Sequence, residues 1–429
     1  MTRARNRRAV WTAMAVIAAL FIPFAPSPAF AKDTDAQWWA DAYGVDATHA
    51  AGFTGAGVKV AVIDSQINPN LPVFAGRNLS VSETRVCATG SEPVSDVADS
   101  GTIHGTTMAA MIIGNGTGAG EVRGIAPDVD LTFYGLGPKN GPDCEEPTDD
   151  RLGNIGTLMK AAVDDGAQVI SMSYGSGTRD YDVPVMAYAL ARGVAVVISE
   201  PNSFEIAASA TDIASMNGVV GVSEVNRAGE LQKKLDGDPF VVPETTVVAA
   251  GANLPTVGAP SDWSATENGS GSSFAAPLVA GMLALAAQKY PEATGNQLVH
   301  ALIASTNGTV HEPVRTENGY GYGAAWLPTL LTVDPLQYPD ETPLMGKPLG
   351  TPTADQIAEA RAQGFVAPPS QTQRRNTFDR DDMQEAPVSI MTFVPWVIGL
   401  LIVLVLIAGA VTVFVITRQR RQTREGTTP

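Results

Sequence analysis

Cysteine, histidine and positive charge are scarce in this chain, and each scarcity closes off a kind of chemistry. The 429 residues hold two cysteines, Cys87 and Cys144, and no paired Cys-x-x-Cys. Four histidines form no His-Glu-x-x-His, and no Walker loop is present, so metalloprotease and nucleotide-driven readings lack support. The glycine-rich tract Gly114 to Gly120 lacks dinucleotide spacing and reads as a connector. Lysine and arginine number 28 against 44 acidic residues, a net charge of −16, and the basic residues concentrate at the two ends. The middle of the chain is therefore more acidic still, which excludes nucleic acid as a partner. Asp143, Asp149 and Asp150 match no calcium-ligand pattern, so neither a metal nor any other cofactor is expected.

What the chain does have is three short segments that each set one reactive side chain among small residues: VAVIDS around Asp64, HGTTMAA from His104, and GSSFAAP around Ser273. A serine hydroxyl is a poor nucleophile near neutral pH and needs a hydrogen-bonded base to take its proton; imidazole has a suitable pKa. Imidazole in turn must be held in one tautomer and its transient charge stabilised, which a buried carboxylate does by accepting the other ring N–H. Local context suits each role. Lys59 to Ile63 is a short β-branched run, read as a buried parallel strand with Asp64 at its carboxyl end, where sites form in α/β sheets. His104 would project from the first turn of a buried helix through Met108 to Ile113. Gly269 to Ser272 lead into Ser273 and a nearly all-apolar helix, so the hydroxyl sits where backbone N–H groups favour negative charge. Taken singly, a strand-end aspartate, a histidine or a capping serine is ordinary; the joint occurrence carries the reading. His49, His300 and His311 lie in contexts without a nucleophile signature and read as structural or surface residues.

The order Asp64, His104, Ser273 and the motifs around them resemble the subtilisin family of serine endopeptidases, from about Trp39 to about Asp334. The stretches between agree. Gly124-Ile125-Ala126-Pro127 followed by Asp130-Leu131 resembles the family's turn into a strand, and Tyr320 to Gly323 its glycine-rich turn before the last helix. Val169 to Gly175 resembles the strand that pairs with an extended peptide, with Ser173 and Gly175 flanking the primary specificity pocket. The resemblance implies an α/β fold, a three-layer sandwich with a mostly parallel central sheet, and hydrolysis of peptide substrates through an acyl-enzyme. The family's oxyanion asparagine falls, counting from the strand Val194 to Ile198, at Asn202. Two departures stand out: Glu200 and Pro201 replace small residues before Asn202, and Ser65-Gln66 follow Asp64 where the family commonly has Thr-Gly.

The ends of the chain speak to location. Arg3 to Arg8 are basic, Ala9 to Phe24 largely apolar, and Ala29-Phe30-Ala31 fits a cleavage site, so residues 1–31 read as a secretory signal peptide. Phe393 to Ile416 is uncharged and apolar and spans roughly 36 Å as a helix, enough to cross a membrane at a tilt. Arg418, Arg420, Arg421 and Arg424 follow, while Asp379, Asp381, Asp382 and Glu385 precede, which puts the C-terminus in the cytoplasm. The expected layout is a signal peptide at 1–31, a peptidase domain at 32–336, a Pro-rich stalk at 337–387, a transmembrane helix at 388–417 and a basic cytoplasmic tail at 418–429. The protein is thus expected at the cell membrane, single-pass, with its catalytic domain outside the cytoplasm. Cys87 and Cys144, both in the exported part, are a candidate disulfide in that oxidising compartment.

Lys32 to about Gly52 is short for the folding-assistant prodomain of many secreted subtilisins. That feature, the anchor and the basic tail make the chain similar to mycosins, the membrane-anchored subtilases of type VII secretion. The resemblance implies secretion-machinery membrane proteins as partners. It admits two functions of different class: cleavage of a secreted substrate, or a structural role stabilising a membrane secretion complex with a vestigial site. Ser273→Ala separates them.

Overall fold

The computed structural model describes residues 36–139, 147–173, 182–202 and 213–370. The expected signal peptide and transmembrane helix lie outside these residues. Among the described residues no helix is long and apolar enough to cross a membrane.

A seven-stranded parallel sheet organises the chain. Its strands are β1 (Lys59–Asp64), β2 (Leu79–Val81), β3 (Asp130–Gly135), β4 (Val169–Met172), β5 (Ala195–Ser199), β6 (Val220–Val225) and β7 (Val247–Ala250). Their order in space is β2-β3-β1-β4-β5-β6-β7, with every pairing parallel. Strands buried on both faces should read as continuous apolar runs, and β1, β4, β5 and β7 do. Alternate side chains of each run then supply two separate cores. Val60, Val62, Val197 and Val222 face one side and pack with α3 (Ser100–Ile113), α6 (Ser272–Lys289) and α7 (Gly295–Ile303). Ala61, Ile63, Val196 and Ile198 face the other and pack with α4 (Asn154–Asp164) and α5 (Val183–Ala191). This is the three-layer sandwich expected from sequence. Two short helices, α1 (Trp38–Ala42) and α2 (Val45–Ala50), precede the sheet and bury Trp38 and Trp39 in the first core.

Helix α6 is apolar on all sides because it is buried on all sides: Phe274 to Ala287 are inaccessible almost throughout. Gly281 lets it close on the segment before β3; a Cβ there would stand 2.1 Å from Ile125 Cγ2.

The segment read as a stalk does not leave the domain at Gln337. Leu344 O and Thr351 O accept from Gly218 N and Asn217 N at 2.9 and 2.8 Å, and Leu349 N donates to Ser215 O at 3.1 Å. Beyond a short α8 (Leu327–Leu330), helix α9 (Ala354–Gln363) is capped by Thr353 and lies on α5. Phe365 then packs on Tyr188 with ring centroids 5.8 Å apart. The docking was not visible because it is made by backbone groups and isolated apolar residues, not by an apolar cluster.

Candidate active site

The carboxyl ends of β1, β4 and β5 and the start of α6 carry the residues singled out from sequence. Asp64 closes β1 and is fully buried. Its Oδ1 accepts three hydrogen bonds: from Ser65 N at 2.7 Å, from Ser65 Oγ at 3.1 Å and from His104 Nδ1 at 2.9 Å. Ser65 Oγ also reaches Gly101 O at 2.8 Å. Serine after the aspartate thus ties the β1 turn to the histidine helix, and Gln66 anchors the turn to Glu92 O at 2.8 Å. The departure from Thr-Gly leaves the carboxylate in place.

His104 lies in the second turn of α3, one turn later than expected, because Asp99 caps the helix by accepting from Gly101 N and Thr102 N at 2.8 and 2.9 Å. Gly105 makes the approach possible: a Cβ there would meet Gln66 O at 2.3 Å. Burial disfavours the imidazolium, but the charge of Asp64 and its hydrogen bond outweigh burial and the opposing Lys139, so the His104 pKa lies above its ordinary value. Its side chain keeps 28% exposure, enough to meet a substrate.

Ser273 is the second residue of α6, after Gly271 and Ser272. It is bound reciprocally to Ser173, just past β4: Ser173 Oγ donates to Ser273 O at 2.8 Å, and Ser273 Oγ donates to Ser173 O at 3.4 Å. The register Ile63↔Met172 carries Asp64 and Ser173 to the same end of adjacent strands, about 5 Å apart laterally. That pairing brings the two halves of the site together. Among the described residues no hydrogen bond joins Ser273 Oγ to His104.

Asn202 follows β5 and turns its side chain onto the same loop. Its Oδ1 accepts from Ser272 N and Ser272 Oγ, both at 3.0 Å, and Ser272 Oγ also contacts Glu200 O. With Oδ1 held, the amide nitrogen is the free end. Gly271 admits it closely, since a Cβ there would stand 3.1 Å from Asn202 Nδ2. The substituted Glu200 is accommodated: Gly221 on β6 leaves the space that Glu200 Oε1 fills, where a Cβ would lie 1.9 Å away.

Gly175 and Cys144 lie outside the described residues. Cys87 is disulfide-bonded and forms an isolated bridge with Pro147. One residue the sequence reading missed is Glu224, a buried carboxyl at the end of β6 beside Asn202. Its signal was there: a single acidic residue inside the apolar run Val219 to Val225.

The model of the subtilase family (Peptidase S8) matches residues 55–323, and the chain belongs to that family. The chain is 30% identical over 168 residues to the minor extracellular protease Vpr of Bacillus subtilis, covering 35% of this chain and 18% of that protein. It is 27% identical over 347 residues to Mycosin-1 of Mycolicibacterium smegmatis, covering 70% and 73% of the two. Among solved structures, MycP1 from the ESX-1 type VII secretion system aligns with a TM-score of 0.53 at 23% identity, over 72% of this chain and 88% of that one. This last likeness bears on the fold.

Proposed function

We propose that this chain is a membrane-anchored, extracytoplasmic serine endopeptidase that works with a type VII secretion system. The observation that carries the catalytic part is the 2.9 Å hydrogen bond from His104 to a fully buried Asp64 at the end of the sheet where Ser273 begins α6. In this reading Ser273 Oγ leaves the Ser173 carbonyl, passes its proton to His104 Nε2 and attacks the substrate carbonyl. Asp64 stays ionised and holds the imidazolium. The tetrahedral oxyanion is received by the Ser273 N–H at the start of α6 and by Asn202 Nδ2. Collapse expels the amine with the proton from His104, and water, deprotonated by the same imidazole, hydrolyses the acyl-enzyme. Ser173 and Gly175 would border the pocket for the residue before the scissile bond. The membrane part rests on the sequence layout, and the secretion part on that layout and the similarity to Mycosin-1.

One observation favours the structural alternative: Ser273 Oγ is donated to Ser173 O, away from His104. The two readings part on one experiment with the full chain in membranes. The wild type is expected to release peptides from fluorescent casein and Ser273→Ala to release none. Casein left intact by a wild type that still supports secretion, with Ser273→Ala supporting it equally, would overturn the peptidase reading and favour the scaffold.

A further inference from the structure

Glu224 is only 5% exposed, and its Oε2 makes no hydrogen bond among the described residues. Burying a carboxylate with one oxygen unpartnered is costly. Its position is specific. The register Ser199↔Val222, continued, sets Glu224 beside Pro201 and Asn202. Glu224 shares with Asn202, Ser272, Leu231, Gln232 and Phe240 the lining of a cavity of about 10 Å³, room for about one water. On its inner side a Cβ at Gly251 would stand 2.7 Å from Glu224 Cβ, 2.8 Å from Gly271 O and 3.3 Å from Ala275 Cβ. Glu224 therefore lines the same cavity as the oxyanion side chain, and its carboxyl meets the Gly271 N–H in the turn that delivers the nucleophile.

We propose that Glu224 is a positioning residue of the peptidase reaction. Neutral, its carboxyl lets the Gly251–Gly271 crossing close against Asn202 and Ser272; ionised, it sets a buried negative charge with one oxygen unpartnered behind the donors that must receive the oxyanion. The inference rests on the peptidase reading above. Burial pushes the carboxyl up to about 7, while the Gly271 N–H, bonded to Gly251 O at 3.0 Å, pulls it down more weakly. The titratable groups around it are few. Glu200, just past the neighbouring β5, holds its carboxyl against Gly221, and the chain beyond β6 carries Arg227, Glu230, Lys233 and Lys234. Among the described residues, those of α6 and of the Asn202 segment that line the cavity, Ser272, Pro201 and Asn202, bring none. Turnover needs His104 neutral and Glu224 protonated, so the rate should rise with pH as His104 loses its proton and fall again as Glu224 ionises.

The test is the rate at which a fluorophosphonate probe labels the full chain between pH 5 and 9, for wild type, Glu224→Gln and Glu224→Leu, with folding checked by thermal melting. The wild-type maximal labelling rate is expected to peak near pH 7 and drop about tenfold by pH 8.5, with the probe's half-saturating concentration unchanged. Both variants are expected to lose that decline and keep the acid limb of His104. A decline that persists in either folded variant, or that sits in probe affinity, overturns the role. A wild type that labels with no alkaline decline overturns it without any variant. A folded wild type that does not label at all, or labels equally as Ser273→Ala, fails the peptidase reading instead.

Discussion

Asp64 has no exposure and a single hydrogen-bonded oxygen shared among three donors, whereas the histidine it holds keeps a quarter of its side chain open to substrate. That asymmetry sets a pH dependence. Asp64 raises the His104 pKa, and catalysis needs the neutral ring, so activity should rise as pH climbs through a value above the ordinary histidine range. Asp64→Asn removes the support: the acid limb of a labelling-rate profile should shift to lower pH and the maximal rate fall by about four orders of magnitude. Asn202→Ala should cost about 10²–10³ in kcat with little change in KM, read with a peptide substrate, because its amide is used only when the oxyanion forms. For Glu224 the stability sign is opposite to that of a paired carboxylate. Its folded pKa, about 7, lies above the ordinary 4.5, so folding holds the proton and stability is lost as pH rises through this window. Glu224→Gln should therefore melt higher than wild type at pH 8 by up to about 3 kcal/mol of stability, and near wild type at pH 5.

The strands that carry the site could be read directly, since β1, β4 and β5 are short runs rich in valine and isoleucine and the period-2 split of their side chains follows from burial on both faces. The start of α3 could not be read as well. Asp99 caps it nine residues before Met108, and Ser100 to Thr107 between them lack the apolar periodicity that marks a helix. What the motif HGTT does encode is close approach. Gly105→Ala would set a methyl 2.3 Å from Gln66 O and 3.0 Å from Phe133 Cζ, forcing α3 off the β1 turn. The expected result is a loss of about 1–3 kcal/mol in chemical denaturation and, because His104 is displaced, a fall of about 10² in activity. Glu224 escaped notice for a different reason: its partners, Gly251, Gly271 and Asn202, come from three elements distant in sequence, and only the sheet order joins them.

The parallel central sheet and both helical layers were legible because the family's motifs span most of the domain, while the strand count and the course of the chain after Gln337 were not. That segment bonds to Ser215, Asn217 and Gly218 and lays α9 and Phe365 on α5, covering the second core. Ending the chain after Pro343 should therefore lower Tm by several degrees, by scanning calorimetry, even though the family match ends at residue 323. A melting point unmoved by the truncation would mean the docking adds nothing to stability. The central claim, that Ser273 is an activated nucleophile, meets its most direct test in the covalent adduct. The full chain is treated with a fluorophosphonate probe and the modified peptide identified by mass spectrometry. A single adduct on Ser273, absent in Ser273→Ala and strongly reduced in Asp64→Asn, is the predicted result. A folded chain that carries no adduct, or carries it equally when Asp64 is replaced, would contradict the account.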